Sequence, residues 1–98
     1  MADLRFSWDD AKAASNLQKH RVSFDEARAV FFDERALFLE DEDPTHPEER
    51  FLLLGLSAAF RVLVVCHCPG SDRDDIRIIS ARRANKAEQK QYWERVNK

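Results

Sequence analysis

Ile76-Arg77-Ile78-Ile79-Ser80-Ala81-Arg82-Arg83-Ala84-Asn85-Lys86-Ala87-Glu88 changes character halfway along its length. The run Ile76 to Ile79 is β-branched and reads as a buried strand end. From Asn85 onward the spacing is helical, and Asn85 with Glu88 three residues later makes a capping box. Ser80, Arg82 and Arg83 therefore fall at a strand-to-helix junction, where helix N–H groups point outward and suit a phosphate. If the strand runs on through the junction, Ile76, Ile78, Ser80 and Arg82 share one parity, with Arg82 emerging at the edge of the core-facing side. The plainer alternative is a helix entry carrying solvated arginines.

Upstream of this junction the chain alternates between the two periodicities. Leu4-Arg5-Phe6-Ser7-Trp8 alternates and predicts a short strand. Asp9 is placed to cap a helix from about Asp10 to His20. On that helix Lys12, Asn16, Lys19 and His20 share a face opposite Ala13, Ala14 and Leu17. Asn16 is out of place in a helix interior unless its amide has a partner. Ser23-x-x-Glu26 is a second capping box, predicting a helix from Phe24 to about Phe32 or Asp33, with Phe24, Ala27 and Phe31 on its core side.

Ala36–Leu39 reads as a strand. The segment 40–49 holds two prolines and a dense run of carboxylates, so it is an exposed loop, with His46 solvated on it. Arg50–Leu56 and Arg61–His67 are nearly continuous apolar strands joined at Ser57–Phe60, which implies a sheet at least partly covered on both faces. Pro69-Gly70-Ser71-Asp72 is a turn into the last strand, Asp75–Ala81. The final helix, Lys86 to Val96, carries a stripe of Tyr92, Trp93 and Val96. Helices around an antiparallel meander make an α+β domain. With 98 residues, 1–98 is expected to be a single domain.

Composition narrows the classes further. With 44% apolar and 35% charged residues, the chain is globular rather than disordered. No apolar run approaches the ~20 residues of a membrane span, and the N-terminus lacks a signal-peptide pattern. Both point to a cytoplasmic protein without a membrane role. Cys66 and Cys68 leave one strand face about 6.6 Å apart, near the limit for a disulfide. His67 between them points the other way, and no metal-ligand spacing is present. Residues 1–49 carry 6 Lys/Arg against 13 Asp/Glu, net −7, and residues 50–98 carry 10 against 5, net +5. A basic half on an acidic protein can attract a polyanion or pair with its own acidic half.

Gly55 and Gly70 are the only glycines, which excludes a Gly-rich phosphate loop, and no nucleophile elbow or metalloprotease helix is present. The chemistry on offer is cations, histidines and hydroxyls. RNA cleavage without a metal or other cofactor needs a base for the 2′-OH, cations for the charge growing on phosphate and an acid for the leaving oxygen. Lys12, Lys19, Arg82 and Arg83 could supply the cations. His20 and His67 are of the type that titrates near neutral pH. Glu88 or a lysine is another candidate base, and Tyr92 could act as an acid or stack a base.

Three blocks together resemble the BrnT family. The first is Phe6-x-Trp8-Asp9-x-x-Lys12-x-x-x-Asn16-x-x-Lys19-His20-x-Val22-x-Phe24 followed by Glu26-Ala27. The second is Glu49-Arg50-Phe51 leading to Leu54-Gly55. The third is Ile76 to Ala84 with Glu88 and Tyr92. The resemblance implies a type II toxin: a ribonuclease of RelE-like fold that arrests translation. It also implies neutralisation by a BrnA-type antitoxin with a ribbon-helix-helix domain, through which the complex would reach DNA and repress its own operon. Combined with the residue chemistry, it marks Lys12, Lys19, His20, Arg50, Arg82, Glu88 and Tyr92 as catalytic candidates. Asn16, Arg77, Ser80, Arg83, Lys86 and Lys90 are the RNA-contacting candidates. The alternative is a non-catalytic partner that modulates a ribbon-helix-helix repressor.

Overall fold

A computed structural model describes residues 3–40, 49–72 and 74–97. The elements run β1 (Arg5–Ser7), α1 (Asp10–His20), α2 (Phe24–Ala27), a 3₁₀ segment (Arg28–Phe32), β2 (Leu37–Leu39), β3 (Phe51–Leu56), β4 (Val62–Pro69), β5 (Asp75–Arg83) and α3 (Lys86–Val96). The five strands form one sheet in the order β1-β5-β4-β3-β2. Strands β2 to β5 are antiparallel neighbours, as the meander predicts. The first strand departs from that expectation: β1 lies parallel to β5, with Phe6 opposite Ile76, so the sheet is mixed.

The helix entries follow their caps. The Asp9 carboxylate accepts from Lys12 N at the start of α1. Arg21 ends that helix in the left-handed region at φ 58°, its N–H donating to Leu17 O. Ser23 Oγ accepts from Glu26 N, as the box predicts. Glu26 does not close the box, because its carboxylate pairs with Arg61 and accepts from Ser57 Oγ at 2.6 Å. The second helix is α-helical for only four residues before tightening into the 3₁₀ segment that runs to Phe32. Asp33 lies just beyond and ties three elements together. It accepts from Arg35 N, from Leu56 N on β3 and from Tyr92 Oη on α3.

Both sheet faces are covered, which explains the unbroken apolar strands. Val22, Phe24, Ala27 and Val30 from the α1–α2 side pack on Leu53, Leu63, Val65, Ile78 and Ala81. Here β3 approaches the 3₁₀ segment closely: a Cβ on Gly55 would meet Val30 Cγ1 at 2.9 Å. On the opposite face Leu54, Val62 and Val64 pack under Tyr92 and Ala84. Cys66 and Cys68 are buried and are not joined in a disulfide. The acidic segment, His46 included, lies outside the described residues except for Glu40 and Glu49.

β5 contains one residue too many for its partner. Ser80 pairs with Cys66 and Ile78 with His67, which leaves Ile79 as a bulge. The bulge reverses the parity expected from continuous alternation. Ile78 faces the α1–α2 core, whereas Ser80 and Arg82, opposite Cys66 and Val64, lie on the α3 face. The strand also runs to Arg83, two residues past its predicted end, so Arg82 and Arg83 sit within β5.

Candidate functional site

α3 covers only part of its sheet face. Beyond Glu88 the face stays open as a cleft of about 400 Å³, lined by Leu39, Glu40, Leu52, Arg82, Glu88 and Gln91. Strand parity places Arg50, just ahead of β3, on this face with Leu52 and Leu54. Ser80 and Arg77, opposite Cys66 and Cys68, share it. The bulge therefore gathers Arg50, Arg77, Ser80, Arg82 and Glu88 onto one side of the sheet.

Arg82 and Glu88 form a fork. Nη1 donates to Oε1 at 2.8 Å and Nη2 to Oε2 at 2.9 Å. The same Oε1 accepts from Asn85 N, and Asn85 Oδ1 accepts from Glu88 N, both at 2.8 Å, so the predicted capping box is complete. The box occupies the N–H groups of Asn85 and Glu88, which narrows the expected free N–H groups at the α3 mouth to those of Lys86 and Ala87. The Arg82 side chain is 41% exposed and its position is set by Glu88. The Arg82 guanidinium holds the Glu88 carboxyl below its usual range, against the opposing pull of burial. A carboxylate so stabilised is a weak proton acceptor, and Glu88 is better described as the group that positions Arg82.

Lys12, Ser15, Asn16, Lys19 and His20 of α1 border Ile79 and Ser80 in a shallow depression of about 190 Å³. Ser80 thus joins the α1 basic face to the sheet face. Lys12, Lys19 and His20 are exposed there, whereas Asn16 is buried. The Asn16 amide donates to Val22 O at 2.9 Å and Ala81 O at 2.8 Å, and accepts from Ala81 N at 3.1 Å. This is the partner that a mid-helix Asn requires, and it engages the group with backbone rather than with a ligand.

Two other candidates are placed away from the site. Tyr92 is 2% exposed, and its hydroxyl donates to Asp33 Oδ2 at 2.6 Å. Burial and the Asp33 carboxylate push its pKa up to about 12. It neither stacks a base nor gives up a proton near neutral pH. His67 is buried among Phe31, Phe38 and Phe51, and burial pushes its pKa down, so it is neutral. Lys86 and Lys90 are exposed on α3, with Lys90 Nζ 3.9 Å from Glu94. The roles of Asp33 and Arg61 were missed from the sequence, because each bonds across 23 residues or more.

The family model described as the ribonuclease toxin BrnT of type II toxin-antitoxin systems matches residues 8–88. The chain belongs to the BrnT family. That assignment makes it a ribonuclease toxin of a type II system, a class that implies an RNA substrate and an antitoxin. The BrnT fold is seen independently. The crystal structure of the Brucella abortus ribonuclease toxin BrnT superimposes with a TM-score of 0.64 at 24% identity, over 85% of this chain and 99% of that one. No curated protein matches the sequence. The BrnT match takes in α1, the bulge and the Arg82–Glu88 fork, and ends at Glu88. Among the described residues no helix is long and apolar enough to cross a membrane.

Proposed function

We propose that this BrnT-family chain is an endoribonuclease that cleaves RNA without a metal ion and so arrests translation. A BrnA-type antitoxin with a ribbon-helix-helix domain neutralises it, and the complex reaches DNA only through that antitoxin. The family match over residues 8–88 carries the reading. The gathering of Arg50, Arg77, Ser80 and Arg82 on one face beside the α1 basic residues supports it.

In this mechanism the RNA backbone lies along the open sheet face and past Ser80 toward α1. The 2′-oxygen loses its proton to a base and attacks phosphorus. The bond to the 5′-oxygen breaks and an acid protonates that oxygen, leaving a 2′,3′-cyclic phosphate and a 5′-hydroxyl. Arg82, held by Glu88, and Arg50 stabilise the charge on the phosphoryl oxygens. Lys12 and Lys19 hold flanking phosphates, with Arg77, Lys86 and Lys90 as outer contacts. With Tyr92 and His67 buried and Glu88 stabilised as a carboxylate, the proton transfers fall to His20 or a lysine of α1.

The test is purified protein incubated with RNA in EDTA beside Arg82→Ala. Wild type cleaves, and the variant is slower by a hundredfold or more, the usual cost of about 2.7–4 kcal/mol for losing a group that stabilises developing charge. Cleavage only after magnesium is restored removes metal independence. No cleavage under either condition leaves the non-catalytic partner reading.

A further inference from the structure

α3 has a second cleft on its other flank. It measures about 260 Å³ and is lined by Phe60, Arg61, Val62, Arg83, Gln89 and Trp93. The volume is below the ~300 Å³ at which pockets begin to hold drug-sized molecules, and suits one flat ring system. Two of its walls are aromatic side chains that the fold leaves in solvent. Phe60 is 83% exposed and Trp93 42%. Trp93 is braced edge-to-face against the buried Tyr92 ring at 5.1 Å.

Phe60 has no packing reason to be where it is. It occupies the β3–β4 connection with φ 61°, a left-handed conformation that is strained for a bulky residue. Strain of this kind, carried by an exposed aromatic group, marks a residue retained for contact rather than for stability. The polar lining is also suited to a ligand. Arg61 pairs with Glu26, and Arg83 also acts on that carboxylate electrostatically, although no carboxylate lies within ion-pair distance of Arg83 among the described residues. Gln89 Nε2 donates to Ala84 O at 3.0 Å, which fixes the amide and leaves its oxygen and second N–H for a partner.

We infer that this cleft is a nucleobase subsite: one unpaired base of the RNA inserts between Phe60 and Trp93, its edge meets Gln89, and Arg83 takes an adjoining phosphate. Arg83 follows Arg82 directly on β5, and α3 separates their two clefts. Arg83, opposite Leu63, leaves from the sheet face opposite to that of Arg82, so the subsite lies across α3 from the cleavage face and takes a base away from the scissile bond. It rests on the ribonuclease reading. Two arginines against the single carboxylate of Glu26 leave the cleft net positive, which suits a nucleic acid, and aromatic faces with an amide are how single-stranded bases are held.

The experiment measures binding of a single-stranded RNA and of an all-abasic phosphodiester oligomer of equal length, in EDTA, with thermal melts run in parallel. Wild type, Trp93→Ala, Trp93→Phe and Phe60→Gly are compared. Trp93→Ala and Phe60→Gly bind RNA about tenfold more weakly, the usual effect of removing one stacking ring, and bind the abasic oligomer like wild type. Trp93→Phe retains most of the affinity. Phe60→Gly melts at or above the wild-type temperature, since glycine relieves the strained φ. RNA binding unchanged in the two truncated variants overturns the subsite and leaves the ribonuclease reading intact. Wild type that binds neither oligomer overturns both. Truncations that keep RNA affinity but lose the cognate antitoxin assign the cleft to protein docking, and a lower melting temperature for Phe60→Gly makes it structural.

Discussion

Asn16 shows what one side chain can do that its sequence position only hints at. Its amide makes three hydrogen bonds to backbone, two of them to Ala81. Without it, the N–H and C=O of Ala81 and the carbonyl of Val22 would be buried and unpaired. Asn16→Ala should therefore cost about 1–3 kcal/mol, measured as a lower urea midpoint. Asn16→Asp keeps the shape but replaces two donors with a carboxylate facing two carbonyls, and should cost at least as much. Lys12→Ala, one turn earlier and exposed, should stay within about 0.5 kcal/mol. Equal effects at the two positions would remove Asn16 from the scaffold.

Tyr92 gives a second prediction at this scale, and it is direct because the chain has one tyrosine. Its hydroxyl is bonded to Asp33 and its pKa is raised to about 12 from the ordinary 10. The native state thus favours the protonated phenol. The sign follows: this contribution is complete below pH 10 and is lost as pH rises from 10 towards 12, where the unfolded tyrosine ionises first. Tyrosinate absorbance of the folded protein should rise only near pH 12 or on unfolding. Tyr92→Phe should lower stability at neutral pH by about 1.5–3 kcal/mol, the range for a bond to a charged group, and should lose that part of the alkaline decline. Ordinary titration near pH 10 without unfolding would mean that the phenol is not held.

Among the elements, the two longer helices were the most legible. Asp9 and Asn85 announce α1 and α3 through side-chain chemistry that acts over three residues. The strand runs around the hairpin were legible for the same local reason. What escaped depends on distant partners. Parallel pairing of Arg5–Ser7 with β5 joins residues about 70 apart, and nothing in the short alternating run specifies it. The second helix switches to 3₁₀ after Ala27, where Glu26 is drawn to Arg61 and Ser57. The bulge at Ile79 is invisible because Ile-Ile-Ser reads as plain strand, yet it decides which face Arg82 occupies. The candidate site was accordingly legible as residue types, and the parity that unites Arg50, Ser80 and Arg82 was not. Gly55→Ala belongs at this scale too. Its Cβ would meet Val30 at 2.9 Å, so the β3 contact with the 3₁₀ segment must open, lowering the melting temperature. Overpacking of this sort costs about 1–3 kcal/mol, and an unchanged melt would show that Val30 yields freely.

At the scale of the whole molecule, charge is divided along the chain, with +5 after residue 49 on a protein of net −2. A chain acidic in total still binds a polyanion if its cations share a surface, and the sheet face and α1 provide one. With about three phosphates contacted, a single-stranded RNA should bind with a salt slope near −2, so that a fourfold rise in salt weakens it about twentyfold. Affinity that is flat in salt would mean that the RNA is held without these cations.

The Asn16 contact has a consequence for hydrogen exchange. Beyond Arg77 the β1 strand no longer accompanies β5, and the Ala81 amide turns to a side chain of α1 instead. Its proton is shielded by the docking of a helix, while the neighbouring amides bonded to β4 are shielded by the sheet. Under native conditions the Ala81 deuteration rate should report the lifting of α1 alone, an event smaller than unfolding. If α1 lifts as a unit with its own hydrogen bonds intact, Ala81 exchanges ahead of Val64 and Val65 and no later than the α1 amides. One backbone position then measures how often the basic helix leaves the sheet, and a ligand that spans both should slow exchange at that position most.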